Sequence, residues 1–415
     1  MNKLRHIYTS IDIGSDTVKV VVCELYRGRY NLLATSCVNS KGIKKGLITD
    51  IQEAKACIKE AFTEVEAMLG FKIKKVIAII PSYFAEFNLI KGEITIHNEN
   101  HIITGNDVVN VFQSAMKESI LPTKEMVTIL PIDFTTDKEV TKEPLGMNSE
   151  TLKTRAIMVT TPKKNIYSVV GILNNIGIEV VDISLGCIGD IYTFKNQEVD
   201  SAVSAIINIG AEKTEVSLYN KGIIVKHAIV NQGSKNVDND IAYMYKVDLI
   251  TAKNLKEKFA LANRNSASLN ESKEVTNKNG ETIKINQYEL SEIVSSRVAE
   301  ILSLANQELN GLTSHKPSFI FITGGMTNMM NFNQICREKL GKCAIIGNVN
   351  LIGLRNNKFS SAIGNIIYFV NKLKLKGKDY SMISSDEMDI LSTPRKNNAT
   401  NDTMLGKVFG YFFGE

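Results

Sequence analysis

The sequence predicts a duplicated α/β fold in which two similar halves enclose a cleft. The chain has 415 residues, of which 44% are hydrophobic and 22% charged, as is ordinary for a globular protein of several domains. A strand–glycine turn–strand pattern in "SIDIGSDTVKVVV" returns in "AIINIGAEKTEVSLY". In both parts of the chain, buried strands are followed by helical segments. Together these observations indicate a repeated unit that begins with a β-hairpin.

The same totals disfavour several classes of protein. The net charge of +5 comes from scattered basic residues that form no stripe along which a nucleic acid could lie, so we expect no nucleic-acid partner. The six cysteines include no CxxC pair, which favours reduced thiols in a cytosolic compartment. No uncharged apolar stretch approaches about 18 residues, and "MNKLRHIYTS" has no signal-peptide core. We therefore expect no membrane-spanning helix.

The first half opens with three predicted strands and a helix. The segment "HIYTSIDIGSDTVKVVVCELYRGRYNLLATSCV" is typical of a strand, a glycine turn, a strand, an Arg-Gly turn and a strand. A helix follows in "ITDIQEAKACIKEAFTEVEAMLG", with Asp50 as its N-cap and Gly70 at its end. The apolar "KKVIAIIP" predicts a further buried strand.

Two segments interrupt the repeated pattern. Residues 82–164 hold short strands and the helix "GNDVVNVFQSAMKESI", enough for an α+β subdomain. Residues 234–310 are mainly helical, with a polar hairpin in "NRNSASLNESKEVTNKNGETIKIN". After them, "KPSFIFITGGMTNMMNFNQICREKLG" predicts a buried strand, a Gly-Gly turn and a helix, and "SSAIGNIIYFVNKLKLK" predicts another helix.

The predicted organisation ends in a linker and a terminal helix. From Gly377 to Asp402 the chain is polar and has no sustained period, which predicts a disordered linker. The predicted boundaries are 1–81 and 165–200 for the first half, 82–164 for its insertion, 201–233 and 311–359 for the second half, 234–310 for the helical subdomain, 360–376 for a helix that returns to the first half, 377–402 for the linker and 403–415 for the terminal helix.

The stretch "IDIGSDTVK" carries residue types that suit phosphate binding. Asp12 ends a buried strand, where a carboxylate could orient a hydrated Mg²⁺. Gly14 opens a turn whose backbone amides could approach an anion, Ser15 offers a hydroxyl and Lys19 a positive charge. An ordinary hairpin with a glycine turn would have the same appearance, so this stretch alone leaves both interpretations open.

Four further glycines favour the phosphate interpretation. Gly210 opens the second copy of the turn, so two loops could hold a polyphosphate from opposite sides. Gly324 and Gly325 follow "FIFIT" and precede a predicted helix, which would place a helix N-terminus beside a ligand. Gly364 lies where close helix packing is expected. A single glycine of this kind predicts only a turn or a cap, but all of them in this order indicate a nucleotide site.

The order of these motifs resembles that of the actin-like ATPase superfamily. The stretches "IDIGSDTVKVVV", "INIGAEKTEVSLY", "FITGGMTNMM" and "SSAIGNIIYF" correspond to its phosphate-1, phosphate-2, adenosine and connecting motifs. Within the superfamily the chain resembles the FtsA family of bacterial cell-division proteins. The resemblance rests on "TILPIDFTTDKEVTKEPLGM", "NQGSKNVDNDIAYMYKVDLITAKNLKEKF" and "NLIGL", and extends over roughly residues 5–375.

The resemblance implies a fold, a cofactor and partners. The fold would be a duplicated actin-like ATPase fold with an inserted α+β subdomain in the first half and a mainly helical subdomain in the second. It implies ATP with Mg²⁺ in the cleft, contacted by Asp12, Gly14, Ser15, Lys19, Asn208, Gly210, Lys256, Gly324 and Gly325, with Asp12 at the metal. It also implies self-association into protofilaments and docking of the C-terminal peptide of FtsZ on residues 234–310, with other division proteins as further partners.

The sequence departs from the family pattern at the phosphate-2 loop. The family's D-I-G-G-G is Asn208-Ile209-Gly210-Ala211-Glu212 here, so an amide replaces the carboxylate that orients the metal, and Glu212 adds a negative charge. The family's "AE-x-x-K" keeps Lys256 and loses its glutamate. The positions Asn208 and Leu185-Gly186 offer no carboxylate for catalysis. We therefore expect nucleotide binding with weak or no hydrolysis and no catalytic residue. The alternative is a vestigial site.

The end of the chain predicts an amphipathic helix. Met404, Leu405, Val408, Phe409 and Phe412 recur at helical spacing as one apolar stripe that Phe413 flanks. This resembles the membrane-targeting helix of the FtsA family, which lies in the bilayer interface. Two other interpretations are docking on its own domain and docking in a partner's groove. Because one short helix binds lipid reversibly, a row of helices on a polymer would hold more durably.

The function predicted from the sequence is that of an ATP-binding adaptor. It would polymerise on the cytoplasmic face of the cell membrane at the division site and tether FtsZ filaments there. The alternatives are a pilus-assembly protein that resembles FtsA, which would lack the linker and terminal helix, and a small-molecule kinase of the same superfamily, which would need a catalytic carboxylate.

Overall fold

The computed structural model describes residues 5–116 and 120–392. The predicted terminal helix, residues 403–415, lies outside them, as does the second part of the predicted linker. In the part of the chain that is described, no helix combines the length and the apolar character that crossing a bilayer requires.

Strands and helices alternate along most of the chain. The strands are β1 (His6–Ile13), β2 (Thr17–Tyr26), β3 (Arg29–Asn39), β4 (Ile43–Lys44), β5 (Leu47–Ile48), β6 (Lys75–Ile80), β7 (Glu86–Thr95), β8 (Lys124–Thr135), β9 (Val140–Thr141), β10 (Thr151–Pro162), β11 (Glu179–Leu185), β12 (Val203–Ile209), β13 (Thr214–Asn220), β14 (Ile223–Val230), β15 (Ser272–Thr276), β16 (Thr282–Asn286), β17 (Phe319–Thr323) and β18 (Ala344–Ile346). The helices are α1 (Ile51–Leu69), α2 (Gly105–Ala115), α3 (Lys163–Asn175), α4 (Gly186–Phe194), α5 (Ser234–Tyr245), α6 (Leu249–Lys258), α7 (Gln287–Leu312), α8 (Phe332–Leu340), α9 (Ser360–Leu375) and α10 (Ser385–Ser392).

The two halves are built on sheets of the same topology. The first sheet has the order β3-β2-β1-β6-β11 and the second β14-β13-β12-β17-β18. In each sheet an antiparallel three-stranded meander is extended by two parallel strands. The predicted duplicated actin-like fold is thereby confirmed at the level of strand order.

The register makes the two opening hairpins equivalent. Asp12 pairs with Lys19 across β1 and β2, and Asn208 pairs with Glu215 across β12 and β13. Gly14 and Gly210 stand at the same place in the two turns, as the sequence alignment predicts.

Local sequence explains the best-defined elements. Asp50 accepts hydrogen bonds from the backbone amides of Gln52 and Glu53 and so caps α1. Gly70 ends the same helix with φ of 84°, in the left-handed region that favours glycine. Arg27 and Gly28 also have positive φ, which suits the two-residue turn between β2 and β3.

Each half has its own core. In the first half, α1 and α3 pack on one face of the sheet and α9 packs on the other. In the second half, α7 and α8 cover the sheet, and α5 and α6 join them in one continuous cluster. Residues 86–162 form a separate four-stranded sheet, in the order β7-β10-β8-β9, that packs against α2. Residues 272–286 form the polar hairpin β15–β16.

The two halves are joined by α4 and α9, which cross at glycines. α4 leads from the first sheet into the second, and α9 returns to pack on β1 and β6. A Cβ atom added to Gly364 would lie 1.7 Å from the carbonyl oxygen of Gly189, so the two backbones touch where they cross. This is the close helix packing expected at Gly364.

The structure differs from the expected disordered linker over residues 377–392. Here the chain runs beside β1, where the Met382 amide donates to the Ile7 carbonyl at 2.9 Å, and then forms α10. Ser384 and Glu387 exchange hydrogen bonds as a capping box at its start, and Lys74 pairs with Glu387 at 3.0 Å. Apolar side chains at spaced positions in this segment pack on the first half. The segment is polar overall, so its composition did not predict this packing. The side chains are Tyr380, Met382, Ile383, Met388 and Leu391.

A second difference follows β17. Gly325–Asn328 form a short 3₁₀ helix, and α8 begins only at Phe332. The predicted order of strand, Gly-Gly turn and helix is present, but the short 3₁₀ helix and not the N-terminus of α8 lies beside the turn.

Candidate functional site

A cleft of about 500 Å³ lies between the two halves. Its walls are the two opening hairpin turns, the loop after β17 and parts of α5 and α6. Every residue that the sequence predicts for the nucleotide lines this cleft: Asp12, Gly14, Ser15, Lys19, Asn208, Gly210, Lys256, Gly324 and Gly325. The structure thus brings together residues that lie more than 300 positions apart in the sequence.

The two hairpin turns have the same hydrogen bond. The Gly14 amide donates to the Thr17 carbonyl at 3.1 Å, and the Gly210 amide donates to the Lys213 carbonyl at 3.0 Å. An added Cβ would lie 2.9 Å from the Thr17 oxygen in the first turn and 3.0 Å from the Lys213 oxygen in the second. Both turns therefore need a residue without a side chain. The amides of Ser15 and Ala211 take no part in closing them, so they can face an anion.

The Gly-Gly loop fits closely over the second turn. Gly324 has φ of 94°, and an added Cβ would lie 2.3 Å from the Ile209 carbonyl oxygen and 2.7 Å from the Asn208 Oδ1 atom. Gly325 is different, because an added Cβ would meet nothing within 4 Å. The first glycine is required by packing and conformation, whereas the second borders open space in the cleft.

The predicted metal residue Asp12 has a charged partner. The Lys19 ammonium group contacts the Asp12 carboxylate across the hairpin. Among the described residues, no group of three or more His, Cys, Asp and Glu side chains is placed to hold a metal ion by itself. Magnesium commonly binds through one or two protein groups, phosphate oxygens and water, so Asp12 fits a site that is completed by a bound phosphate.

Asn208 is oriented by a buried carboxylate that sequence reasoning missed. Its Nδ2 donates to Asp190 at 2.7 Å, and Ser360 and Ser361 donate to the other oxygen of Asp190 at 2.7 and 2.8 Å. Burial raises the pKa of Asp190 to about 6, although these hydrogen bonds act in the opposite direction. Because Nδ2 is engaged, the Asn208 Oδ1 atom remains beside Gly324 at the cleft.

A second missed carboxylate is Glu215, which the hairpin register places opposite Asn208. Its side chain accepts from Lys213 at 2.7 Å and contacts the Ser82 hydroxyl. Burial alone would raise the pKa of Glu215, but the adjacent Lys213 charge outweighs it and the pKa is about 2. Leu185 and Gly186 have no carboxylate of their own, but the Glu215 carboxylate lies nearby, since a Cβ added to Gly186 would be 3.8 Å from one of its oxygens.

The positive charge of Lys256 is paired with a carboxylate of the protein. Its ammonium group pairs with Asp238 at 2.7 Å, and both side chains are buried, with exposed fractions of 5% and 7%. Lys256 therefore lines the cleft as one member of a buried ion pair that joins α5 to α6. The neighbouring Lys253, to which the sequence assigned no role, reaches across the cleft to Asp16 at 2.8 Å.

Glu212 also crosses the cleft. Its carboxylate accepts from the Lys45 amide at 2.5 Å and from the Lys235 ammonium group at 2.9 Å. Burial raises the pKa of Glu212, but the hydrogen bonds from Lys45 and Lys235 outweigh this and hold the pKa below its usual value. The negative charge expected at the phosphate-2 loop is thus present, and it is already hydrogen-bonded by Lys45 and Lys235.

Comparison with family models identifies two matching segments. The model described as "Cell division protein FtsA" matches residues 205–364, and the model described as "SHS2 domain inserted in FTSA" matches residues 86–160. The first match spans β12 to the start of α9 with the second half of the cleft, and the second spans the four-stranded sheet with α2.

Curated relatives align over most of the chain. The Cell division protein FtsA of Bacillus subtilis (strain 168) is 26% identical over 90% of this chain and 85% of its own length. That of Streptococcus pneumoniae serotype 2 is 28% identical over 86% of this chain and 78% of its own length, and that of Enterococcus hirae 27% over 88% and 83%.

Solved structures show the same fold at low sequence identity. The type IV pilus biogenesis complex PilM-PilN has a TM-score of 0.59 at 13% identity, with 86% of this chain and 96% of that chain covered. MreB5 of Spiroplasma citri bound to ADP has a TM-score of 0.53 at 13% identity, with 89% and 98% covered.

Proposed function

The chain belongs to the FtsA family of actin-like proteins, and on this premise we propose that it is an ATP-binding cell-division adaptor. ATP with Mg²⁺ binds in the cleft between the halves, and hydrolysis is weak or absent. The protein polymerises and tethers FtsZ filaments to the cytoplasmic face of the membrane at the division site. The family resemblance identified from the sequence is confirmed, whereas the binding partners and the chemistry are proposals.

One observation carries the nucleotide proposal. Two equivalent glycine turns, one from each half, face the same cleft of about 500 Å³. Backbone amides at glycine turns are suited to phosphate oxygens, and a pair of turns can hold a polyphosphate from both sides. MreB5 of Spiroplasma citri, which shares the fold, is described as bound to ADP and to AMPPNP.

The cofactor would be held by residues already in place. The turns at Gly14 and Gly210 would hold the phosphates, and Asp12 with the Asn208 Oδ1 atom would orient the waters of Mg²⁺. When bound, Mg²⁺ would neutralise phosphate charge. Asp190 would keep the Asn208 oxygen turned to the cleft, since it accepts from the amide nitrogen at 2.7 Å.

The pKa values of two acidic side chains support the proposal of weak hydrolysis. A general base works best when its pKa lies near the operating pH. Glu215 is held at a pKa of about 2 beside Lys213, so it accepts a proton poorly. Asp190 has a pKa of about 6 but is buried beneath Asn208 and occupied by three donors. Both carboxylates therefore support positioning rather than activation of water.

The nucleotide proposal is tested by filling the open side of the Gly-Gly loop. Because an added Cβ at Gly325 meets nothing, Gly325→Glu places a bulky negative side chain in the cleft without a packing clash. We expect ATP affinity, measured by isothermal titration calorimetry, to fall at least about tenfold. Gly171→Glu is the matched control, since Gly171 is exposed on α3 and also has free space. Equal ATP affinity of the two variants would contradict the proposal.

The membrane proposal concerns residues outside the described structure. We propose that Met404, Leu405, Val408, Phe409, Phe412 and Phe413 enter the bilayer interface. Full burial of one Phe or Leu side chain contributes roughly 1.5–3 kcal/mol and interfacial burial less, so a single tail binds reversibly and a polymer binds more firmly. Liposome co-sedimentation should pellet the full chain more strongly than a truncation after Asp402, and ATP should increase the difference. Equal pelleting would refute the tether.

The FtsZ proposal assigns the partner's C-terminal peptide to residues 234–310. The supporting observation is that the matched FtsA segment, residues 205–364, contains this subdomain. Because α7 lies in this segment and covers the second sheet, the subdomain is altered at its surface instead of being deleted. The double variant Tyr243→Glu/Ile250→Glu, at side chains that are 84% and 77% exposed, should co-sediment less with FtsZ filaments while its Tm stays unchanged. Retained co-sedimentation would contradict the assignment.

The pilus-assembly alternative has structural support, because the PilM-PilN complex has a similar fold. At 13% identity, however, that similarity gives no evidence for a shared function. The match of an FtsA-specific inserted domain to residues 86–160 favours the cell-division role.

A further inference from the structure

The two hairpin turns extend matching acidic side chains across the cleft. Asp16 and Glu212 hold the same position in the aligned turns, two residues after Gly14 and Gly210. Asp16 of the first half pairs with Lys253 of the second at 2.8 Å. Glu212 of the second half accepts from the Lys45 amide of the first at 2.5 Å. The cleft is thus closed by two reciprocal bridges.

The donors around the Glu212 carboxylate form an anion-binding site. Its carboxylate has a backbone amide donor from Lys45 and an ammonium donor from Lys235. Lys235 also donates to the Ser15 carbonyl at 2.9 Å, and the Gly46 amide donates to the Ser15 hydroxyl at 2.7 Å. These groups form one network beside the first glycine turn. A backbone amide, an ammonium group and a nearby hydroxyl can bind a phosphate oxygen as well as they bind the Glu212 carboxylate.

We propose that Glu212 occupies with its own carboxylate the place of a terminal phosphate, so that the cleft favours a nucleoside diphosphate over a triphosphate. This inference rests on the proposed nucleotide binding. A third phosphate must displace Glu212 from Lys45 and Lys235, whereas a diphosphate leaves the bridge intact. The side chain is charged near neutral pH because its donors outweigh the effect of burial on its pKa. It therefore repels a phosphate group that approaches without displacing it.

The structure places Glu212 where such competition is possible. The side chain is 23% exposed and lies on a turn that also lines the cleft, so it can rotate out without unfolding an element. Glu215, in contrast, is buried under Ser82 and Lys213 and is fixed in place. Of these two acidic side chains on the second hairpin, only Glu212 can move away and leave its hydrogen-bond donors, Lys45 and Lys235, free to bind a ligand.

The first experiment measures nucleotide preference. ATP and ADP, each with Mg²⁺, are titrated by calorimetry into the wild-type chain, Glu212→Ala and the isosteric Glu212→Gln. We expect both variants to raise ATP affinity by roughly tenfold and to change ADP affinity by less than about twofold. Glu64→Gln controls for the change in net charge, because Glu64 is exposed on α1. An unchanged ATP-to-ADP affinity ratio in both variants would overturn the inference.

The second experiment needs no nucleotide. Hydrogen exchange of the Lys45 amide, followed in the peptide that contains β4 and β5, should be faster in Glu212→Ala than in the wild type, because the amide loses its acceptor. Equal exchange would refute the bridge itself. If neither nucleotide binds to any form while the Lys45 amide responds, the proposed nucleotide function fails and the phosphate preference fails with it. Nucleotide binding with an unchanged ratio refutes the preference alone.

Discussion

Substitution of Gly364 by alanine tests whether the α4–α9 crossing fixes the two halves. A Cβ at this position would lie 1.7 Å from the Gly189 carbonyl oxygen and 2.5 Å from the Thr193 hydroxyl. Real Cβ atoms essentially never approach closer than 3.0 Å, so the helices would have to separate by about 1.3 Å. The contact is between backbones, and no side-chain rotation can relieve it.

The expected cost follows from two opposing effects. Overpacking of a core costs about 1–3 kcal/mol, and the upper end applies because a whole helix must shift. Alanine within a helix contributes about 1 kcal/mol relative to glycine. The net loss for Gly364→Ala is therefore about 2 kcal/mol. A shift of α9 would also pull Ser360 and Ser361 from Asp190, to which both donate.

Gly171→Ala is the matched control for this substitution. Gly171 lies within α3, and an added Cβ would meet nothing within 4 Å, so the helix propensity acts alone. Thermal unfolding followed by circular dichroism should show a lower Tm for Gly364→Ala and an equal or slightly higher Tm for Gly171→Ala. If Gly364→Ala were as stable as Gly171→Ala, the close crossing described for α4 and α9 would be wrong.

Three other predictions concern charge and the docked segment. Asp190 has a folded-state pKa of about 6, above its ordinary 3.8, so its contribution to stability is complete below pH 3.8 and is lost as the pH rises through 6. In urea unfolding, the stability of the wild type relative to Asp190→Asn should therefore rise by about 2 kcal/mol between pH 7 and pH 4, and an unchanged difference would contradict the raised pKa. Lys213→Ala leaves Glu215 buried without its counter-charge and should cost about 3 kcal/mol in the same assay, and the double variant Lys213→Ala/Glu215→Gln should regain part of it; no recovery would contradict the pairing. Leu391→Asp should abolish hydrogen-exchange protection of α10 while the Tm of the halves stays within about 2 °C, and retained protection would show that Leu391 does not hold the helix.

The sequence predicts those elements whose signals are local. The caps of α1 are explicit in Asp50 and Gly70, and the Arg27-Gly28 turn lies between two strongly apolar strands. The duplication was detectable because Gly14 and Gly210 need the same turn for the same reason. Asp12, Gly14, Asn208 and Gly210 could be predicted together because the halves repeat the same loop, whereas Lys256 was predicted only from the family resemblance.

Contacts between distant segments could not be predicted in this way. Asp190 becomes a partner of Asn208 only when α4 and β12 are brought together, and no local pattern in "SLGCIGD" marks it. Glu215 had a detectable signal, since the hairpin register places it opposite Asn208 as Lys19 stands opposite Asp12. The segment that contains Met382 and Leu391 looked polar overall, and its packing depends on a surface that the first half supplies.

The docking of α10 determines which flank of the molecule can approach a membrane. Residues 393–402 separate this helix from the segment proposed to enter lipid. Ten residues span at most about 35 Å even when fully extended. The side of the first half that carries α10 and Lys74 must then stay within that distance of the headgroups. In a row of such molecules every subunit would turn the same side to the bilayer, so the row would have a fixed upper and lower surface.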